Sequence, residues 1–231
     1  MGSTRTHANP HCRGLCVVLA LAAIWLAACE SRSPLRIRPG PVVNASTIAR
    51  SAEFMQKVAV MPFYPVAPTG RSIGGGLPAV SWESAALVSG YFADALAAQG
   101  VAVIPAGDRE VAVEAQGGPV PRLDPRIAAE RAASDFGATA VVLGKLFRWR
   151  EREGSAAGAA APASVAFEVS LHQAPSGRRL WTGRFDETQR SITEAILRAR
   201  QYPGAGTRWL SVAEFGRWGA EETVKSMTSA P

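Results

Sequence analysis

Two side chains stand out as candidates for chemistry in this 231-residue chain, the thiol of Cys29 and the imidazole of His172. No cysteine follows Cys29, and His172 is the one histidine that follows it. A thiolate is a nucleophile and a metal ligand, and a neutral imidazole is a general base. The residues around each side chain indicate which of these chemistries it can perform.

Cys29 ends an apolar run that follows a basic segment. Residues 1–14 contain Arg5 and Arg13 and no acid, and residues 15–28 are apolar. The run is shorter than the about 20 residues that a membrane-spanning helix needs. A basic start, a short apolar run and small residues before a cut are typical of a secretory signal.

The tetrapeptide Leu26-Ala27-Ala28-Cys29 resembles the lipobox of bacterial lipoproteins. The resemblance implies a diacylglycerol thioether on Cys29 Sγ, signal cleavage between Ala28 and Cys29, and fatty acylation, with palmitate for example, of the new amino group. Glu30 follows the cysteine, where an aspartate would favour the inner membrane in the family rule. The resemblance therefore implies an outer-membrane anchor that faces the periplasm. The alternative is an ordinary cleaved signal, or a short membrane anchor, in which Cys29 has no role.

The cysteine, histidine and acidic residues do not form a recognisable ligand set for a metal or a cofactor. Cys12 and Cys16 lie in the segment that either signal would remove, so no disulfide and no cysteine metal site is expected in the mature chain. One histidine and no free thiol do not make a zinc site. The acids do not have the close spacing of a calcium loop. The sequence predicts no cofactor and no metal.

His172 lies in a segment of strict apolar–polar alternation, on the side opposite Phe167. A Ser-His-Asp site needs a positioned nucleophile, and the chain has no G-x-S-x-G elbow. We therefore expect an exposed strand residue, no catalytic site and no enzyme. The alternative is an envelope hydrolase with an unrecognised site, in which Asp186 or Glu187 of the polar segment 184–190 supplies a carboxylate with a raised pKa.

Alternating charges in residues 148–153, RWRERE, indicate a second candidate surface. On a strand, Arg148, Arg150 and Arg152 would share one face, which could meet an acidic partner or an anionic glycan. The competing interpretation is a solvated strand end whose field the neighbouring glutamates 151 and 153 offset.

Composition and charge exclude some classes of function. Hydrophobic residues make up 47% and charged residues 19%, which is typical of a globular protein with a core. The formal net charge is +6, and removal of Arg5 and Arg13 with the signal leaves +4, with acids interspersed. Nucleic-acid binding is not expected, because it needs basic residues focused on one face. Residues 71–76, RSIGGG, lack the G-K-[ST] ending of a phosphate loop, which favours a surface loop.

Hydrophobic periodicity predicts the elements that position these residues. The predicted order is β-α-β-α-β-β-β-α, which favours an α/β (mixed α+β) fold with a mixed sheet of about five strands packed with helices. Strands are predicted at 57–63, 101–105, 138–149, 164–172 and 178–185, and helices at 81–99, 124–136, 192–200 and 211–227. The chain would then divide into a signal peptide (1–28), a lipidated cysteine with a flexible tether (29–56) and one periplasmic domain (57–231).

Several segments together resemble a group of envelope lipoproteins. They are the lipobox, the tether, VAVMPF at 58–63, a helix that ends before GVAVI at 100–104, and GATAVVLGKL at 137–146. The group includes curli-secretion lipoproteins, activators of penicillin-binding proteins and the N-terminal domain of the Tol-system propeller protein. The likeness covers about 57–185. The ending, with FDETQ at 185–189, is most similar to uncharacterised proteobacterial lipoproteins.

The resemblance implies a small α/β adaptor that does no catalysis, with membrane lipid bound through acylated Cys29 and an envelope protein as partner. The alternative within the same group is a homo-oligomeric subunit of an outer-membrane export complex. A curli-type pore inserts long hairpins into the membrane. The 164–185 hairpin has the length, but its two strands also fit a domain sheet.

Overall fold

A mixed sheet forms the centre of the fold in a computed structural model that describes residues 44–47, 51–66, 80–105, 124–191, 193–194 and 196–229. These residues belong to one unit, Pro39–Pro231. Within them the main sheet has seven strands: β1 (Asn44–Thr47), β2 (Lys57–Val60), β3 (Tyr64–Pro65), β4 (Ala102–Ile104), β5 (Ala140–Arg150), β8 (Ser164–Gln173) and β9 (Arg179–Thr188). A separate two-stranded sheet joins β6 (Glu153–Gly154) to β7 (Ala159–Ala161).

Strand order in the main sheet is β1-β9-β8-β5-β2-β4, with β3 also beside β5. The pairs β2–β4, β2–β5 and β3–β5 are parallel, and β5–β8, β8–β9 and β1–β9 are antiparallel. The predicted mixed sheet is confirmed. The 164–185 hairpin is part of this sheet, as its alternation predicts.

The described residues form four α-helices: α1 (Trp82–Ala98), α2 (Pro125–Phe136), α3 (Ile196–Ala199) and α4 (Val212–Thr228). The local sequence explains where the first two begin and end. Ser81 Oγ accepts from the Ser84 backbone N–H at the start of α1. Asp124 caps α2 by accepting from Arg126 N at 2.8 Å, and Gly137 ends it at φ 60°. The predicted starts of both helices and the glycine stop of α2 are confirmed.

Three features differ from the sequence prediction. Strand β1 lies inside the predicted tether 29–56, and Met55 is buried, so ordered structure begins before Lys57. The short strand β3 was not predicted either. Within the predicted helix 192–200 the described residues form only the four-residue α3, and the extended Tyr202 (φ −68°, ψ 152°) before Pro203 ends any continuation of a helix beyond residue 201.

Helices α1 and α4 pack on one face of the sheet and enclose the main core. Rings from strands and helices form a continuous aromatic layer there, in which neighbouring centroids lie 5.1–6.0 Å apart: Phe63, Phe92, Phe167, Phe185, Phe215, Trp218 and Tyr202. Gly144 lies directly under the Phe63 ring, and Gly216 under Trp149, where any Cβ would overlap the ring. Close packing of these rings therefore depends on both glycines.

Helix α2 covers only part of the opposite face. Its small residues Ala128, Ala129 and Ala132 lie against Ala59 and Val141, near strands β2 and β5. No described helix covers the rest of this face. We call this part the open face; it presents Lys145, Arg148, Arg150, Glu168, Ser170, His172, Arg179, Thr182, Arg184 and Asp186.

The start of α4 is fixed by a capping box of Ser211 and Glu214. Arg208 donates two hydrogen bonds to the Glu214 carboxylate, at 2.8 and 3.0 Å. The hydrogen bond from Arg208, followed by that from the Ser211 backbone, lowers the pKa of Glu214 to about 2. The carboxylate that holds this cap is therefore ionised across the physiological pH range.

Candidate functional site

A polar groove of about 500 Å³ lies on the open face, beside the first residues of α2. Strands β3, β5, β8 and β9 supply its walls and floor. Its polar side chains converge from these four strands and from the N-cap of α2: Tyr64, Asp124, Lys145, Glu168, Ser170, His172, Arg179 and Thr182. A concave site of this size with convergent polar groups can hold a small ligand or a few units of a polymer.

An ion pair crosses the floor of the groove. Lys145 and Glu168 are directly opposite on β5 and β8, and Lys145 Nζ lies 3.1 Å from Glu168 Oε1. Their side chains are 39% and 38% exposed, so solvent screens the pair and it adds little to stability. The pair instead keeps two charged groups at fixed positions on the floor.

His172 is buried, with 6% of its surface exposed, so the prediction of an exposed strand residue is wrong. Its predicted side of the strand, opposite Phe167, is correct, because it lies with Ser170 on the open face. The turn at 174–177 and the start of α2 cover the imidazole, and Gly177 approaches the Arg126 backbone too closely for any Cβ. This burial is a tertiary effect that the strand pattern does not contain.

Hydrogen bonds fix the state of the His172 ring. Nδ1 lies 3.0 Å from the Gly177 carbonyl oxygen, which only accepts, so Nδ1 carries the proton. Nε2 lies 3.0 Å from Ser170 Oγ and accepts its hydroxyl proton. Burial, with a smaller contribution from the Arg179 charge, lowers the pKa of His172 against the opposing effect of the Gly177 bond. The neutral ring is thus a base that touches a hydroxyl.

Sequence reasoning did not single out Ser170. The signal was available, because residues two apart on a strand share a face and S-x-H in an alternating segment places both side chains together. Among the described residues, no carboxylate forms a hydrogen bond with His172, and a backbone carbonyl orients its ring instead. The pair therefore lacks the acid of a Ser-His-Asp triad.

An arginine cluster lies further along the open face; we define it as Arg148, Arg150 and Arg184. Asp186 bridges two members, with Oδ1 at 2.6 Å from Arg148 and Oδ2 at 3.0 Å from Arg184. Arg184 also lies over the Phe147 ring, 5.2 Å from its centroid. Partial burial opposes ionisation of Asp186, but hydrogen bonds from both arginines outweigh it and lower its pKa.

The prediction that three arginines of segment 148–153 share one face of the strand is correct for two of them. A β-bulge between Leu146 and Arg148 sets the register, so that Arg148 and Arg150 lie opposite Ala166 and Ser164 on the open face. Arg152 instead donates to the Trp209 carbonyl at 3.0 Å.

The acidic residues discussed for segments 148–153 and 184–190 do not have the roles that the sequence suggested. Glu151 accepts from the Val212 N–H at 3.2 Å and lies at the N-terminus of α4, where the helix dipole favours a carboxylate. Asp186 and Glu187 are adjacent on β9 and so lie on opposite faces of the sheet. They do not form the paired carboxylates of a hydrolytic site.

Cys29 and Ala28, the predicted lipidation and cleavage sites, lie outside the described residues, as does the 71–76 loop. In the described ranges, no three His, Cys, Asp or Glu residues are grouped as metal ligands. The helices within those ranges are too short or too polar to cross a bilayer.

No protein family matches the sequence, and no curated protein matches it either. Among solved structures, the chain is similar to the PelC dodecamer from Paraburkholderia phytofirmans, with 15% identity, 82% of this chain and 98% of that chain covered, and a TM-score of 0.43. A lipoprotein from Neisseria meningitidis is 17% identical over 58% of this chain and 82% of its own, with a TM-score of 0.39. A hypothetical protein from Chlamydia trachomatis is 13% identical over 74% and 95%, with a TM-score of 0.38. Similarity at this level does not carry a function to this chain.

Proposed function

We propose that this chain is a lipoprotein of the cell envelope, anchored to the outer membrane by acylated Cys29, whose α/β domain is a non-enzymatic binding adaptor in the periplasm. The observation that carries the adaptor role is the open face. Its side chains are held in place by ion pairs and hydrogen bonds, and it contains a groove of about 500 Å³. A preorganised polar surface of this kind loses little conformational entropy when it binds a partner.

The anchor would keep this face close to the membrane. Fourteen residues separate Cys29 from Asn44 at the start of β1, and fully extended they would reach about 46 Å at roughly 3.3 Å each. The domain could therefore meet a partner in the membrane or in the adjacent envelope, but not one far from it.

Photo-crosslinking in intact cells tests the adaptor role. A photoreactive amino acid replaces Thr182, whose side chain lies in the groove, and captured proteins are identified by mass spectrometry. The control position is Glu221, which is exposed on α4. We expect an envelope component to be captured from position 182 and not from position 221. Recovery of only self-crosslinked copies would instead support the alternative of an oligomeric export subunit. Capture of nothing specific would contradict both.

The hydrogen bond between Ser170 and His172 favours a second candidate, an envelope hydrolase. In this reaction Ser170 Oγ attacks the acyl carbon of an ester while its proton passes to His172 Nε2. The leaving alcohol takes that proton, and water then releases the acid and restores the serine. Of the two proposals this is the weaker, because nothing described orients His172 except a carbonyl oxygen.

A fluorophosphonate probe distinguishes the hydrolase from the adaptor. If the pair is reactive, the probe labels Ser170 with loss of fluoride, and Ser170→Ala and His172→Gln both abolish labelling. Ser164→Ala is the control, since Ser164 lies on the same strand face but hydrogen-bonds to Arg148 and Thr188. Absence of labelling in the folded wild-type protein would exclude Ser170 as a nucleophile of this type.

A further inference from the structure

We infer that the open face binds an anionic glycan, a polysaccharide that carries carboxylate groups. The inference rests on the proposed function, because it takes the open face to be the binding surface and names the ligand. The first support is charge. This face, as defined above, presents five cationic side chains, at positions 145, 148, 150, 179 and 184, against two carboxylates, at positions 168 and 186, with a third, at position 124, beside it at the start of α2. The excess favours an anionic ligand.

The second support is that part of this positive charge is not neutralised by a neighbouring carboxylate. Arg150 and Arg179 form no ion pair in the described ranges, and the Nε of Arg150 is buried there without a hydrogen-bond partner. Arg148 and Arg184 share the one carboxylate of Asp186, and Arg148 Nε also donates to Ser164 Oγ. Among the described residues this leaves Nη1 of Arg148, and Nη1 and Nε of Arg184, without a hydrogen bond. Guanidinium groups held in this way match the bidentate geometry of a carboxylate ligand.

The third support is the length of the charged surface. Arg179 and Arg184 are five positions apart on β9, which corresponds to roughly 17 Å along a strand. No single small anion spans that distance. A polymer with repeated carboxylate groups would reach both the groove and the arginine cluster.

The chemistry of the face favours a glycan over an acidic peptide. An extended peptide gains affinity from main-chain hydrogen bonds to a sheet edge, but the backbone groups of β5, β8 and β9 are already paired within the sheet. Ser170, Thr182 and Tyr64 can hydrogen-bond to sugar hydroxyls, and the Tyr64 ring offers an apolar surface to a sugar ring.

Binding of oligogalacturonate to the full chain, purified in detergent, tests the inference by calorimetry. Dextran of similar length is the neutral probe and poly-glutamate is the peptide probe. We expect oligogalacturonate to bind. Its affinity should fall as the salt concentration is raised, because salt screens the exposed charges. Dextran is expected not to bind, and poly-glutamate to bind at least tenfold more weakly. Equal binding of dextran, or tighter binding of poly-glutamate, would overturn the assignment.

Charge-matched variants locate the site. Arg148→Gln/Arg184→Gln is expected to weaken oligogalacturonate binding at least tenfold. The control Arg208→Gln/Arg217→Gln has the same charge change on side chains paired with Glu214 and Asp94, away from the open face, and should bind like wild type. If the first variant fails to fold, Arg150→Gln/Arg179→Gln removes two cations without breaking an ion pair among the described residues. Wild-type affinity in a folded open-face variant would disprove the site.

The two proposals fail separately. If a photoreactive group at position 182 captures an envelope protein while oligogalacturonate does not bind, the adaptor role stands and the glycan assignment is wrong. If oligogalacturonate binds but no protein is captured, the protein-adaptor role is wrong and the glycan assignment stands.

Discussion

Replacement of Cys29 by serine is expected to move the protein from the membrane fraction to the soluble fraction and to stop removal of residues 1–28. A serine hydroxyl cannot form the thioether that the lipobox resemblance implies, and acylation of the new amino group follows only after cleavage. One acyl chain adds roughly 0.8 kcal/mol per buried methylene and holds a protein only marginally, whereas two or three make the anchor effectively permanent. Loss of all the chains should therefore change membrane binding by several orders of magnitude.

Metabolic labelling with an alkyne fatty acid, detergent phase partition and intact mass measure this effect. Cys16→Ser is the matched control, because Cys16 lies in the apolar run and carries no lipid in the proposal. Cys16→Ser should be labelled and cleaved like wild type. Equal labelling of Cys29→Ser and wild type would show that the acyl chains are attached elsewhere. Normal cleavage of unlabelled Cys29→Ser protein would support the alternative of an ordinary signal peptide.

Elements with strong local signals could be predicted from the sequence. Helix α2 has a capping aspartate, a proline at its first position and a left-handed glycine at its end, and each acts through neighbouring residues only. The β8–β9 hairpin follows from strict alternation closed by Pro175-Ser176-Gly177. Where the signal is carried by the nearest few residues, the prediction and the structure agree.

Elements without local signals could not be predicted. Strand β1 has the sequence NAST, and its residues 45–47 are exposed, so it has no apolar periodicity to identify it. It forms because β9 offers it an unpaired edge, which is a property of the assembled sheet.

The candidate site was predictable only in its residue types. The arginines at 148 and 150 were expected to share a face, and the register confirms it. The partner of Arg148, however, is Asp186, which is 38 positions away and becomes a neighbour only when β8 is inserted between β5 and β9. Burial of His172 likewise depends on how α2 meets the 174–177 turn. Contacts between residues that are far apart in the sequence depend on the strand order of the sheet, and no local sequence pattern specifies that order.

Phe185→Ala is expected to lower the free energy of unfolding by about 3–5 kcal/mol, the range for removal of a buried aromatic ring. Phe185 is fully buried and connects the two halves of the aromatic layer. Its centroid lies 5.1 Å from that of Phe167 in the sheet, and 6.0 and 5.7 Å from those of Phe215 and Trp218 in α4. Truncation would leave a cavity between sheet and helix, and Gly219 beside the ring has no side chain to fill it.

Urea unfolding of the full chain, followed by tryptophan fluorescence, measures the loss. Phe147→Ala is the matched control, because Phe147 is half-buried on the open face and contacts Arg184 through a cation–π interaction of about 0.5–1 kcal/mol. If the alanine variant does not fold, Phe185→Leu fills part of the cavity and should show a smaller loss of the same sign. An equal, small effect of Phe185→Ala and Phe147→Ala would mean that α4 does not depend on this ring for its attachment to the sheet. A large effect confined to Phe185 would show that the aromatic layer holds α4 against the face opposite the groove, and so keeps the back of the binding surface rigid.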